Sequence, residues 1–329
     1  MANTQEKFKT VIGGQALIEG IMMRGPDKDA VVVRKNGELH VEVSPRKKAR
    51  KGSVKTWPLI RGAVGFIDAQ ITGVKALMRS ADLSPEMEEE QELSKFDRWL
   101  EKKLGDDKFQ KYLIGGAVAL GLGMSVLLFF LLPGIIGGLI SPLIPNTLFL
   151  NLVEGLIRIA IFFGYMLLVS RMSEMKRVFA YHGAEHKTIR CYEAGLPLTV
   201  ENVRMQTRKH PRCGTSFLFV VLILSILVFS ATSSLVLMVI PNLEMILGSL
   251  LYRVVMILLK LLLLPLVVAI SYEINRLVGR YDNFLTRILT APGMWFQNFT
   301  TNEPDDSMIQ VGIAALEAVL PEEAGTDRW

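Results

Sequence analysis

Half of the 329 residues are hydrophobic and the mean hydropathy is +0.34, which excludes an ordinary soluble domain and marks an integral membrane protein. The net charge of +5 is modest, and Lys and Arg crowd the segments outside the hydrophobic runs, as anionic headgroups favour. Two cysteines are too few for a disulfide scaffold.

Met1–Thr10 has no apolar core followed by a small-residue cleavage site, so no signal peptide is expected there. Val11–Pro26 reads VIGGQALIEGIMMRGP, with Gly13, Gly14, Gly20 and Gly25 around an apolar stretch that holds Gln15, Glu19 and Arg24. The spacing fits neither a dinucleotide fingerprint nor a P-loop, so the glycines point instead to a sharp turn or a close backbone approach. Ala30–Val43 gives two β-rich runs joined by Asn36-Gly37, a strong hairpin signal, with His40 as an exposed strand residue.

Arg46–Lys55 is densely basic, and in Pro58–Ser80 Ile60, Val64, Ile67, Ile71, Val74 and Leu77 recur at helical spacing. Arg61, Asp68, Lys75 and Arg79 interrupt this segment too often for a bilayer span. It reads either as a helix lying on the inner membrane face or as one packed on the hairpin in a small soluble domain. Basic residues without interleaved aromatics do not signal sequence-specific nucleic-acid recognition, while contact with ribosomal RNA phosphates stays open. Ser84-Pro85-Glu86 reads as a helix start, and the acidic run behind it as a solvated face or linker.

Four hydrophobic runs follow, at Tyr112–Leu132, 148–170, Phe217–Ile240 and 247–272, each reaching the roughly 20 residues a helix needs to cross the hydrocarbon. Residues 171–216 carry nine Lys/Arg, whereas 133–147 and 241–246 carry none. The positive-inside rule therefore puts that loop and both termini in the cytoplasm. Arg158 and Lys260 fall inside spans, where an unpaired charge costs at least about 2.5 kcal/mol. They read as a polar path or lipid-headgroup site, or as structural ion pairs with Glu154 or Glu244. Pro133–Pro145 is open between re-entrant and interfacial structure, and the acidic tail is expected to be disordered past Pro304, apart from a short amphipathic helix over Ile309–Leu320.

The chemistry-bearing segment is Tyr181–Cys213, which holds three of the four histidines and both cysteines. His182 and His186 are one helical turn apart and can share a metal ion, with Glu185 between them in the H-x-x-E-H order of an inverted zincin. His210-x-x-Cys213 adds an imidazole and a thiol at a chelating spacing, and Glu193 returns to the face of His182 if the helix runs that far. Against this, a juxtamembrane His can simply bond a neighbour, Glu185 can pair with Lys187 or Arg190, and a cytosolic Cys can be a small buried hydrophobe.

Three stretches together, GGQALIEGIMMRGP, YHGAEHKTIRCYEAG and TRKHPRCGTSF, resemble a bacterial multi-pass membrane family, the YqhQ-like proteins or domain of unknown function 1385. The resemblance runs from Val11 to about Asn298. It implies a location in the bacterial plasma membrane and a metal-dependent enzyme of no established substrate. The matching positions are Gln15, Glu19 and Arg24, then His182, Glu185, His186 and Glu193, then His210 and Cys213.

The expected fold is mainly α: four transmembrane helices with a small α+β cytoplasmic region of hairpin and amphipathic helix. It divides into 1–57 (Gly-rich motif and hairpin), 58–111 (amphipathic and juxtamembrane helices), 112–170 (spans one and two), 171–216 (His/Cys loop), 217–272 (spans three and four) and 273–329 (tail). Two functions follow. One is a zinc hydrolase, a peptidase among the candidates, with His182 and His186 as ligands, Glu185 as general base and one of Glu193, His210 or Cys213 as third ligand. The other is a non-enzymatic factor for insertion, assembly or quality control of membrane proteins, with a translocon or ribosome as partner. There His182, His186, His210 and Cys213 close a structural zinc site. A transporter is a third reading, supported only by Arg158 and Lys260. Oligomeric state is not legible.

Overall fold

The computed structural model of the protein describes residues 8–46, 52–84, 106–144, 146–281, 283–323 and 325–328. Pro85-Glu86 of the expected helix start, the acidic run after it and the centre of the basic run near residue 50 lie outside these, while Ser84 is described as the C-cap of the helix Ile60–Leu83. The chain is a mainly α membrane protein with four helices long and apolar enough to cross a bilayer among the described residues: Gly115–Leu143, Phe149–Val169, Gly214–Val239 and Leu251–Arg280. Chain contacts divide it into two compact units, one of residues 1–85, 166–225 and 263–329, the other of 86–165 and 226–262.

The first unit is built on a four-stranded antiparallel meander, β1 (Gly13–Leu17), β2 (Gly20–Arg24), β3 (Lys28–Lys35) and β4 (Glu38–Pro45), in the order of the chain. The β3–β4 hairpin turns at Asn36-Gly37, both with positive φ (51° and 86°), the conformation that a two-residue hairpin turn requires. His40 lies on β4 among exposed residues. The Gly-rich motif, expected only as a turn or close approach, is itself a hairpin, β1 paired to β2, which turns at Ile18-Glu19 with Glu19 at φ 50°.

Alternation sorts the two faces of the sheet. Ile21, Met23, Ala30 and Val32 join one core with Tyr181, Ala184 and Ile189 of helix α5 (Ser173–Glu193) and Val311, Ala315, Leu316 and Val319 of helix α11 (Asp306–Val319). On the other face Leu17 and Met22 meet Ala76 of helix α1 (Ile60–Leu83). Both open readings of α1 leave a trace here. Its small side, Gly62, Gly73, Ala76 and Ser80, is buried, while the stripe Ile60, Val64, Ile67, Ile71 and Val74 faces outward, 37–57% exposed.

The tail corrects an expectation. The short helix expected over Ile309–Leu320 is present as α11, but it does not stand in a disordered tail: among the described residues it is one of the best buried helices of the unit, with Ile309, Val311, Ala315 and Leu316 fully buried. The acidic residues that suggested disorder have specific tasks. Asp305 caps the helix by accepting from the Met308 N–H at 2.9 Å, Asp306 pairs with Arg204, and Glu303 pairs with the buried Lys187.

In the second unit, helix α2 (Asp106–Val126) continues through a π turn at Leu127–Leu131 into α3 (Leu132–Ile140), so the first part of the Pro133–Pro145 segment is helical. Helix α4 (Thr147–Val169) follows, and after α5 come α6 (Val200–Arg204), α7 (Gly214–Val239), α8 (Leu243–Leu247), α9 (Ser249–Arg280) and α10 (Phe284–Thr300). Arg158, buried, donates to the Phe129 carbonyl at 2.7 Å and lies over the Phe130 and Phe229 rings, with no carboxylate paired to it among the described residues. Lys260 pairs with Glu154 at 3.4 Å.

A candidate metal centre

Helix α5 presents His182 and His186 on one face, and the turn before α7 brings Cys213 to meet them. The nearest ligand atoms of the three residues lie within 4.8 Å of one another. Each imidazole is fixed by a backbone carbonyl: His182 Nδ1–H donates to Thr300 O at 2.8 Å and His186 Nδ1–H to Arg208 O at 2.6 Å. Since a carbonyl can only accept, both rings carry the proton on Nδ1 and turn an Nε2 lone pair inward.

His182 Nε2 sits 3.1 Å from Cys213 Sγ, and His186 Nε2 is buried without a hydrogen-bond partner. Tetrahedral zinc with two imidazoles and one thiolate would hold these atoms about 3.4–3.6 Å apart; the His182–Cys213 pair stands at 3.1 Å and all three ligand atoms lie within 4.8 Å of one another. An orphaned lone pair deep in a protein costs about 1–3 kcal/mol, and a cation at this point would relieve it.

The charge states suit a metal. Burial drives His186 down to about 4, so the ring stays neutral. Burial also pushes the Cys213 thiol up; the His186 ring offsets this only as an imidazolium, so beside a neutral ring the groups that favour a thiolate are the hydroxyl and N–H of Thr215. Cys213 immediately precedes α7 and its sulfur accepts from Thr215 N–H at 3.4 Å, so the helix dipole favours a thiolate.

Glu185 is buried beside this cluster. Its Oε1 accepts from Gly14 N–H at 3.0 Å, and burial raises it to about 7, with Cys213 adding to the rise and His182 and Gly14 opposing it. Two glycines permit the approach. A Cβ at Gly14 would stand 3.1 Å from the Glu185 carboxyl carbon, and one at Gly183 would stand 2.0 Å from the Asn302 carbonyl oxygen, where the chain leaving α10 crosses α5.

Other expected site residues lie apart from the cluster. His210, whose ring centroid is 5.6 Å from that of His186, has Nε2 3.3 Å from Glu193, and Glu193 also takes Arg212 and the Thr10 N–H. Burial keeps His210 low, while Glu193 falls below its usual value because His210 and Arg212 overcome its burial. Within the first motif, Gln15 rests against Gly73 of α1, Arg24 pairs with Asp29 and Asp68, and Glu19 accepts from Arg177 and Tyr181 of α5. That motif contributes a backbone N–H, from Gly14, rather than a side chain.

Sequence reasoning does not find Gln297. It is fully buried, accepts from His210 N–H at 2.8 Å, and donates to His210 O at 2.7 Å and Ser216 Oγ at 3.1 Å, bracketing the turn that carries Cys213. The available signal is a single amide on the stripe Gly293, Phe296, Thr300 of α10.

The family model for a protein of unknown function, DUF1385, matches residues 57–322. The chain belongs to the DUF1385 family. It is 32% identical over 327 residues to the uncharacterised protein YqhQ of Bacillus subtilis (strain 168), covering 98% of this chain and 96% of that relative. No solved structure matches it. The family description assigns no activity, so the cluster of His182, His186 and Cys213 stands on its geometry.

Proposed function

We propose that this DUF1385 protein is a membrane-embedded, zinc-dependent hydrolase working at the cytoplasmic membrane face, with His182, His186 and Cys213 as its metal ligands. The observation that carries the reading is the buried Nε2 of His186, which has no hydrogen-bond partner and stands in a cluster whose ligand atoms, with those of His182 and Cys213, all lie within 4.8 Å of one another. Three protein ligands leave one tetrahedral position for water or substrate, the pattern of catalytic rather than structural zinc.

Zinc bound here would polarise a carbonyl and bring a coordinated water within reach of deprotonation near neutral pH. Glu185, next in sequence to a ligand and titrating near 7, is suited to take that proton and return it to a leaving group. Gly14 N–H holds one carboxylate oxygen and so fixes its direction. Thr300 and Arg208 carbonyls lock the imidazole tautomers, and Gln297 holds the Cys213 turn.

The alternative of a closed four-ligand staple needs His210 in the shell. Its engagement with Glu193 speaks against that. The decisive pair is Glu185→Gln and His186→Ala in cells that depend on the protein. Glu185→Gln keeping its zinc while losing function supports catalysis; Glu185→Gln retaining full function beside a dead His186→Ala supports a structural site.

A further inference from the structure

The second unit contains a cavity of about 270 Å³ reached by residues of α3, α4, α7, α8 and α9, at the span ends joined by the Lys- and Arg-free segments. Short helix α3 offers bare backbone to it. A Cβ at Gly138 would lie 2.7 Å from Arg253 Nη1, and one at Gly137 2.5 Å from Glu154 Oε1, so charged heads occupy the places that side chains would take.

What lines the cavity is rich in donors lacking acceptors. Arg253, exposed at the rim with its guanidinium beside Gly138, pairs with no carboxylate among the described residues, and Asn151 Nδ2 is buried without a partner. Lys260 shares Glu154 at 3.4 Å and keeps further N–H groups to give. Arg253 and Lys260 are seven residues apart, hence on one face of α9 and about 10 Å apart along it. Between them the wall is apolar, with Ile135, Leu237, Met256 and Ile257. Charges inside a span are costly unless they meet a partner or water, and this set asks for oxygens. The exposed Glu244 is the one carboxylate at the rim beyond the Glu154 pair, and it disfavours a dianion.

We propose that this cavity binds a phosphate-bearing ligand, most simply the phosphodiester of a membrane lipid. Arg253 takes the phosphate oxygens at the rim, Asn151 and Lys260 donate to oxygens farther in, and the acyl chain lies on the apolar wall. The site is separate from the metal centre and does not depend on its function.

The test is native mass spectrometry of the full chain in detergent, titrated with dioctanoyl phosphatidylglycerol, dioctanoylglycerol and inorganic phosphate. Wild type is expected to take up one phosphatidylglycerol and to bind dioctanoylglycerol at least tenfold more weakly. Arg253→Gln and Gly134→Leu should each lower phosphatidylglycerol affinity at least tenfold; Gly134 lines the cavity and a Cβ there would meet nothing within 4 Å, so the larger side chain fills space without a clash. Saturation by inorganic phosphate alone would support the phosphate seat and identify free phosphate as its source. Equal binding of dioctanoylglycerol, no saturable binding of either phosphate compound, or unchanged affinity in both variants overturns the proposal.

Discussion

Replacing Gln297 by Leu tests how the metal centre is held. The side chain is fully buried and makes three hydrogen bonds, two to the backbone of His210 and one to Ser216. Leu nearly keeps the volume but strands the His210 N–H and C=O, each costing about 1–3 kcal/mol when buried and unpaired, so the expected loss is about 2–6 kcal/mol. That loss falls on the turn that positions Cys213, and disrupting such outer-shell support typically lowers metal affinity about 10–100-fold. The assays are thermal unfolding in detergent and zinc competition against a chromophoric chelator. A Gln297→Leu protein with wild-type unfolding temperature and zinc affinity would refute the reasoning.

Gly183→Ala puts a methyl 2.0 Å from the Asn302 carbonyl oxygen, so the crossing after α10 must shift; a loss of about 1–3 kcal/mol is expected by thermal unfolding, together with weaker zinc binding through His182. Asp305→Ala removes the α11 cap, at about 1 kcal/mol, and hydrogen exchange should speed in α11 and the sheet together. The folded Asp305 titrates below its ordinary value: burial raises it, but bonds from Ser307 and Met308 prevail. Its stabilising effect is therefore complete above the unfolded value near 4 and fades as acidification passes the folded one, so Asp305→Asn should show a flatter acid unfolding profile. Reporter fusions should place both termini in the cytoplasm and an insertion near residue 145 outside; an external terminus would reverse the proposed side of the metal centre.

Much of this architecture was legible because it follows from local chemistry. Asn36-Gly37 specified its hairpin, and the spans declared themselves by apolar length. The i, i+4 spacing brought His182 and His186 to one helix face. What was missed depends on the partner rather than the residue. β1 and β2 are five-residue strands rich in glycine, so no alternating pattern announces them. The helix of the tail is legible in its apolar spacing, but its burial is not, because Asp305, Asp306 and Glu303 are solvated acids on paper and engage Met308, Arg204 and Lys187 only in the fold. His210-x-x-Cys213 has chelating spacing, yet spacing does not set direction: Glu193 and Arg212 hold His210 one way while the start of α7 aims Cys213 another. The glycines of the first motif point to a sharp turn or a close approach, but only the fold shows that Gly14 approaches Glu185.

The central claim is a metal held by two imidazoles and one thiolate, and X-ray absorption spectroscopy with elemental analysis of the purified full chain addresses it most directly. The account predicts one zinc per chain with two nitrogen, one sulfur and one further oxygen donor, lost in Cys213→Ala and retained in Glu185→Gln. A wild-type protein purified without chelators and supplied with zinc that holds none, or holds it unchanged in Cys213→Ala, would contradict it.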